Sequence, residues 1–172
     1  NTRGTFGPLN RGYSGAGQVV VIIDDGAYSK HEFLAPRVIP GACFSTNDRD
    51  DEVEYVTSCS NGKLTQKNIV GGSQCNTYGR CFHGTHVAGI AAGRNTDTTT
   101  IDPSVPVEPR NGIAQNAAIL AINVSTLVKH EGEIVGDTFF YSDMLAGLDH
   151  VLEVHPKHRI AAVNMSLGSY EV

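Results

Sequence analysis

The chain has 172 residues, 13 of them Lys or Arg and 18 Asp or Glu, giving a formal net charge of −5 before any histidine protonates. That balance argues against a nucleic-acid binder, which needs a basic face. A charged fraction of 18% with 19 glycines excludes a long solvated coiled coil or a charged disordered chain.

The length allows one domain with a substantial core. The longest strictly apolar runs, 19–23 and 117–122, fall far short of the ~20 residues that span a bilayer, so no membrane segment is expected. Residue 1 is Asn and no basic stretch leads into an apolar one, so a secretory leader is expected to have been removed or left out.

In chain order, the glycine-rich stretch 1–17 reads as a surface arm, and the body of the domain is expected from 18 to 172. Residues 18–23 form a short, unbroken, β-branched run, the pattern of a strand buried on both faces. Asp24 follows at its carboxyl end, where parallel α/β sheets gather ligands and catalytic groups. Asp24-Asp25-Gly26 is equally a routine turn, or the acidic pair of a magnesium-binding receiver domain.

Four cysteines, Cys43, Cys59, Cys75 and Cys81, lie in polar, glycine-rich surroundings without the C-x-x-C pair of a zinc knuckle. They read as two disulfides in an oxidising, secreted or otherwise extracytoplasmic setting; reduced structural thiols are the other reading. Pairing Cys43 with Cys59 and Cys75 with Cys81 closes loops of 16 and 6 residues, the second bracing the entry to His83. Residues 45–78 read as polar loops with a short strand at 53–56. Their acidic run, Asp48 to Glu54, is either a solvated surface or a weak cation site.

His83-Gly84-Thr85-His86-Val87-Ala88-Gly89 and the small residues up to Gly93 predict a buried helix with His83 at its N-terminus. There the macrodipole disfavours the imidazolium and a facing carboxylate favours it, a balance that can keep a base neutral near pH 7. Taken alone, His83 and His86 could also be structural or a pair of metal ligands lacking a third.

Residues 94–111 form a second long connection with three prolines. The runs 118–124 and 160–165 repeat the buried-strand signature. Between them, Leu145, Leu148, Val151 and Leu152 mark an amphipathic helix over 142–155 with Ser142 as N-cap. Strand, helix, strand implies a right-handed crossover and a mostly parallel, doubly wound α/β sheet with helices on both faces. The Asn-x-Ser matches at Asn123 and Asn164 fall at predicted buried strands and are discounted as glycan sites.

Together, Asp24-Asp25-Gly26 closing an apolar strand and the histidine motif resemble the subtilisin-like serine proteases, the subtilases. Supporting matches are the stretch Asn111 to Ala117, similar to that family's turn into a strand, and Val163-Asn164-Met165-Ser166-Leu167-Gly168. The resemblance implies that Asp24 orients the base and His83 takes the nucleophile's proton, in the order Asp, His, Ser known for subtilisin. It implies that Ser166, Leu167 and Gly168 pair with an extended polypeptide substrate by β-augmentation, the opposite edge coming from about 136–139.

The family's Gly-Thr-Ser-x-Ala-x-Pro motif is absent from these residues, as is its later oxyanion asparagine. The chain therefore reads as the N-terminal portion of a catalytic domain, whose partners would be the C-terminal portion or a propeptide. By itself it is expected to be inactive and prone to self-association.

No cofactor is expected. Many subtilases carry a calcium-ligating aspartate where this chain has Phe33, in His31-Glu32-Phe33-Leu34, so no tight calcium is expected there. Readings from other classes are a peptide-binding pseudoprotease and a metal-dependent hydrolase.

Overall fold

The computed structural model describes residues 12–72, 75, 81–95 and 111–168. Most of the expected arm and most of the connection at 94–111 lie outside them.

The first sheet is built around β1 (Val19–Asp24), every residue of which is buried. Its neighbours, β6 (Ala118–Asn123) and β9 (Ile160–Asn164), both run parallel to it. Next to β6 lies β2 (Val38–Phe44), also parallel, and β5 (Thr65–Val70) closes that side antiparallel, for an order β5-β2-β6-β1-β9.

Successive residues of a strand point to opposite faces, and the core divides accordingly. Val20, Ile22, Ile119 and Ala121 pack with Ala88 and Ala92 of α1 (Phe82–Ala92). Val19, Val21, Ile23, Leu120 and Ile122 pack with Val151, Met144 and Leu148 of α2 (Tyr141–Val154). The described residues thus form a mixed α/β structure with a parallel-containing sheet and one helix against each face.

A second, wholly antiparallel sheet has the order β3-β4-β7-β8, formed by β3 (Asp48–Arg49), β4 (Glu54–Thr57), β7 (Ser125–His130) and β8 (Glu133–Phe139). β7 and β8 turn through Glu131 and Gly132, both at positive φ (52° and 85°), as a two-residue hairpin of matching twist requires. Only Val124 separates β6 from β7. The joint is held by buried polar groups: Ser45 Oγ donates to the Ser125 carbonyl at 2.8 Å, and Asn123 Nδ2 to Ser58 Oγ at 2.8 Å. The Cys43–Cys59 disulfide ties β2 to the segment after β4. Asn123 is fully buried.

Several expectations change. The short strand expected at 53–56 is β4, but residues 45–72 also hold β3 and β5 where polar loops were expected, because these two strands are largely exposed and carry no apolar alternation. α2 starts at Tyr141, not Ser142. Its N-cap is Phe140, whose carbonyl accepts the amides of Asp143 and Met144.

Its buried stripe is Asp143, Gly147, His150 and Val151, with Leu145 and Leu152 exposed. Gly147 sets that stripe, since a Cβ there would meet Val124 at 3.1 Å and Ile122 at 3.4 Å. β9, expected to be buried on both faces, is an edge strand with Ala161, Ala162 and Val163 exposed. α1 buries only Gly84, Ala88 and Ala92, leaving Phe82 and Ile90 exposed.

Candidate active site

The carboxyl end of β1 meets the N-terminus of α1. Asp24 is fully buried, in register with Asn123 of β6, and its carbonyl accepts the Val124 amide. A helix approaches this point closely only if the residue facing β1 lacks a side chain. A Cβ on Gly84 would lie 2.1 Å from the Gly26 carbonyl oxygen and 3.1 Å from Asp24 Cβ. Thr85 adds a second tie, accepting the Tyr28 amide on Oγ1 at 2.8 Å.

This approach brings His83 Nδ1 to 2.8 Å from Asp24 Oδ1 and 3.0 Å from Oδ2. Against an ionised carboxylate Nδ1 carries the proton, which leaves Nε2 as the acceptor on a side chain 53% exposed. The hydrogen bond to Asp24 raises the imidazole pKa most. Partial burial opposes it, and the charges of Asp24, Asp25 and Asp137 add to the rise. The carboxylates therefore outweigh the effect of burial, where the sequence alone suggested a near balance of opposed influences.

Asp25 is pushed up to about 6, chiefly by burial, against the lowering effect of amide bonds from Gly84 and His83. Asp137, on β8, reaches the same two groups through its charge. A cleft of about 610 Å³ opens here, with Asp25, Leu127, Glu133, Val135 and Asp137 among its walls. Neither Asp25 nor Asp137 was singled out by sequence. Asp25 was visible only as part of a turn or of an acidic pair, and no spacing marks Asp137.

Ser166, Leu167 and Gly168 follow β9 without belonging to a strand. β9 pairs with β1 in a register that ends with Asn164 opposite Ile22. Ser166 Oγ donates to Asn164 Oδ1 at 2.9 Å, and Leu167 packs against the α2 side of the core. Residues 136–139 lie in β8, the outer strand of the second sheet.

Cys75 is bridged to Cys81, the N-cap residue of α1, two positions before His83. His86 looks into a separate apolar groove with Tyr28, Phe33 and Ile113. Among the described residues no three His, Cys, Asp or Glu side chains converge as a metal site.

Phe33 lies against the C-terminus of α1, where a Cβ on Gly93 would meet its ring at 2.2 Å. Its carbonyl accepts from Arg37 Nη2 at 3.0 Å and from the Arg94 amide at 2.8 Å. Arg37 also donates to the carbonyls of Ala92 and Ala117. The Phe33 ring brings no oxygen, and its carbonyl is already taken up by the guanidinium and the Arg94 amide.

The subtilase family model matches residues 15–172. The solved structure of the CspB protease of Clostridium perfringens matches with a TM-score of 0.53 at 15% identity, covering 95% of this chain and 32% of that one. The likeness is one of fold, and the chain spans roughly a third of that protein's length.

Proposed function

Because the chain belongs to the subtilase family, we propose that it carries the acid and base of a secreted serine endopeptidase, the serine being supplied from outside these residues. The observation behind this reading is the bond of 2.8 Å from His83 Nδ1 to buried Asp24 at the junction of β1 and α1. Asp24 holds the ring and stabilises the imidazolium. His83 Nε2 takes the proton of the attacking serine hydroxyl as Oγ bonds to the peptide carbonyl carbon, then passes it to the leaving amine as the C–N bond breaks. Water, deprotonated by the same nitrogen, cleaves the acyl-enzyme. The complete domain is doubly wound. Substrate lies as an extended strand between residues 166–168 and the β8 edge, and no calcium sits at Phe33.

The test is made in the full-length protein. A serine-directed fluorophosphonate should label it, and His83→Ala should abolish turnover with the circular dichroism unchanged. The acid limb of kcat/KM should lie above the ordinary imidazole range, because His83 is shifted upward. Residues 1–172 alone should be inactive, since loss of the serine costs subtilisin about 2 × 10⁶ in turnover. A folded full-length protein that neither labels nor cleaves would leave only peptide binding and refute the reading.

A further inference from the structure

We infer that Asp25 is a positioning residue, whose carboxylate caps α1 from outside the helix and so fixes the backbone that carries His83. The inference deepens the proposed function, but the cap itself stands on geometry. An α-helix begins with four amides that have no intrahelical acceptor, and α1 supplies nothing of its own for them. Its N-cap, Cys81, sits in the left-handed region at φ 64°, has its sulfur in a disulfide and makes no side-chain cap; the first turn holds no acid.

Asp25 fills the role from 58 residues earlier in the chain. Oδ2 accepts the His83 amide at 3.2 Å and Oδ1 the Gly84 amide at 2.7 Å. Its own amide donates to Asp24 Oδ1 at 2.8 Å, the oxygen that also receives His83 Nδ1. Two adjacent residues therefore grip one histidine, Asp24 by the ring and Asp25 by the main chain. The second grip makes the first reproducible, because a ring on a fraying helix end would sample other positions, and misplacement by about 1 Å can lower a rate 10²-fold.

The groups facing Asp25 are Asp24, Asp137, His83 and the partial positive charge of the helix end. Burial together with the charges of Asp24 and Asp137 outweighs the two amide bonds, so ionised Asp25 is held at a cost to the fold. An uncharged Ser or Asn cap would satisfy the amides without that cost. The charge acts on His83, whose imidazolium it favours.

The test is an NMR titration of the His83 ring in the wild-type protein and in Asp25→Asn. The variant should lower the His83 pKa by about half a unit, the size of a helix-end or nearby charge effect at a partly exposed site. It should also speed hydrogen exchange at the His83 and Gly84 amides. An unchanged His83 titration with both amides equally protected overturns the proposal.

Should Asp25→Asn fail to fold, the wild type decides. The His83 and Gly84 amide shifts must follow the Asp25 carboxyl as it titrates near 6, and amides indifferent to it overturn the cap. Neither readout needs proteolysis, so failure of the cap is distinguishable from failure of the peptidase reading.

Discussion

Strand β1 delivers Asp24 to His83 from the middle of a sheet in which Val21, Ile22, Ile23 and Asp24 have no exposed surface. β8 brings Asp137 toward the same histidine from the outer edge of the second sheet, in a strand exposed from Glu133 to Asp137. The first group makes contact at 2.8 Å; the second is felt through its charge. A hydrogen bond fails over a few tenths of an ångström, and so its donor and acceptor sit on elements locked by packing. A Coulombic contribution changes slowly with distance and tolerates a solvated hairpin. The molecule thus separates the group that must be placed from the group that need only be near.

The sharpest break of this contrast is one methyl group added in each region. Gly84→Ala puts a Cβ 2.1 Å from the Gly26 carbonyl oxygen, a backbone atom that cannot swing aside. It should cost at least about 3 kcal/mol and separate His83 from Asp24. Gly136→Ala on β8 meets nothing within 4 Å, and should change stability by less than about 0.5 kcal/mol. Urea unfolding of the two variants measures both. A Gly136→Ala loss as large as that of Gly84→Ala would mean that the hairpin is as tightly determined as the central sheet.

The Cys43–Cys59 bridge offers a second way to sharpen it, because it joins β2 of one sheet to the segment following β4 of the other across a separation of 16 residues. Replacing both cysteines by Ala should remove about 3 kcal/mol on the loop-entropy account. The loss should fall mainly on the second sheet, seen as faster amide exchange in β4 and β7 than in β1 and β6. Uniform acceleration would show that the two sheets open together.

What could be read from sequence divides along the same line. β1 and β6 were legible because a strand covered on both faces must be apolar throughout. β4 was foreseen in outline and 136–139 of β8 was expected as an edge, but β3, β5 and β7 were missed: β3 and β5 are largely solvated, and β7 buries the polar Ser125 and Thr126, which break the apolar pattern. α2 was found with its face half right: Leu148 and Val151 pack into the core, but Asp143 and His150 are buried against Thr46 and Phe44 while Leu145 and Leu152 are exposed. Asp24 and His83 were visible as two motifs that gain meaning together. Asp25 stood in plain view, but a cap reaching across 58 residues leaves no local pattern, and Asp137 carries no signal at all until the hairpin is folded.

The smallest effect concerns the pH dependence of stability, where Asp25 should behave oppositely to most carboxyls. A paired acid usually has a depressed pKa in the fold and loses its contribution as pH falls. Asp25 is raised from 3.8 to about 6, so the folded state binds its proton more tightly than the unfolded chain does. Its stabilising contribution is then complete below the unfolded value and is lost as pH rises through about 6. Asp25→Asn cannot titrate and should lack that decline. Thermal unfolding of both proteins between pH 4 and pH 7 should therefore show the wild type losing stability relative to the variant as pH rises. Asp137→Asn should reduce the slope without abolishing it, since its charge ranks last among the causes that raise Asp25, after burial and Asp24. A wild type that gains on Asp25→Asn over this interval would mean that the two amide bonds outweigh burial and the neighbouring carboxylates together, and that ionised Asp25 serves the fold as much as it serves His83.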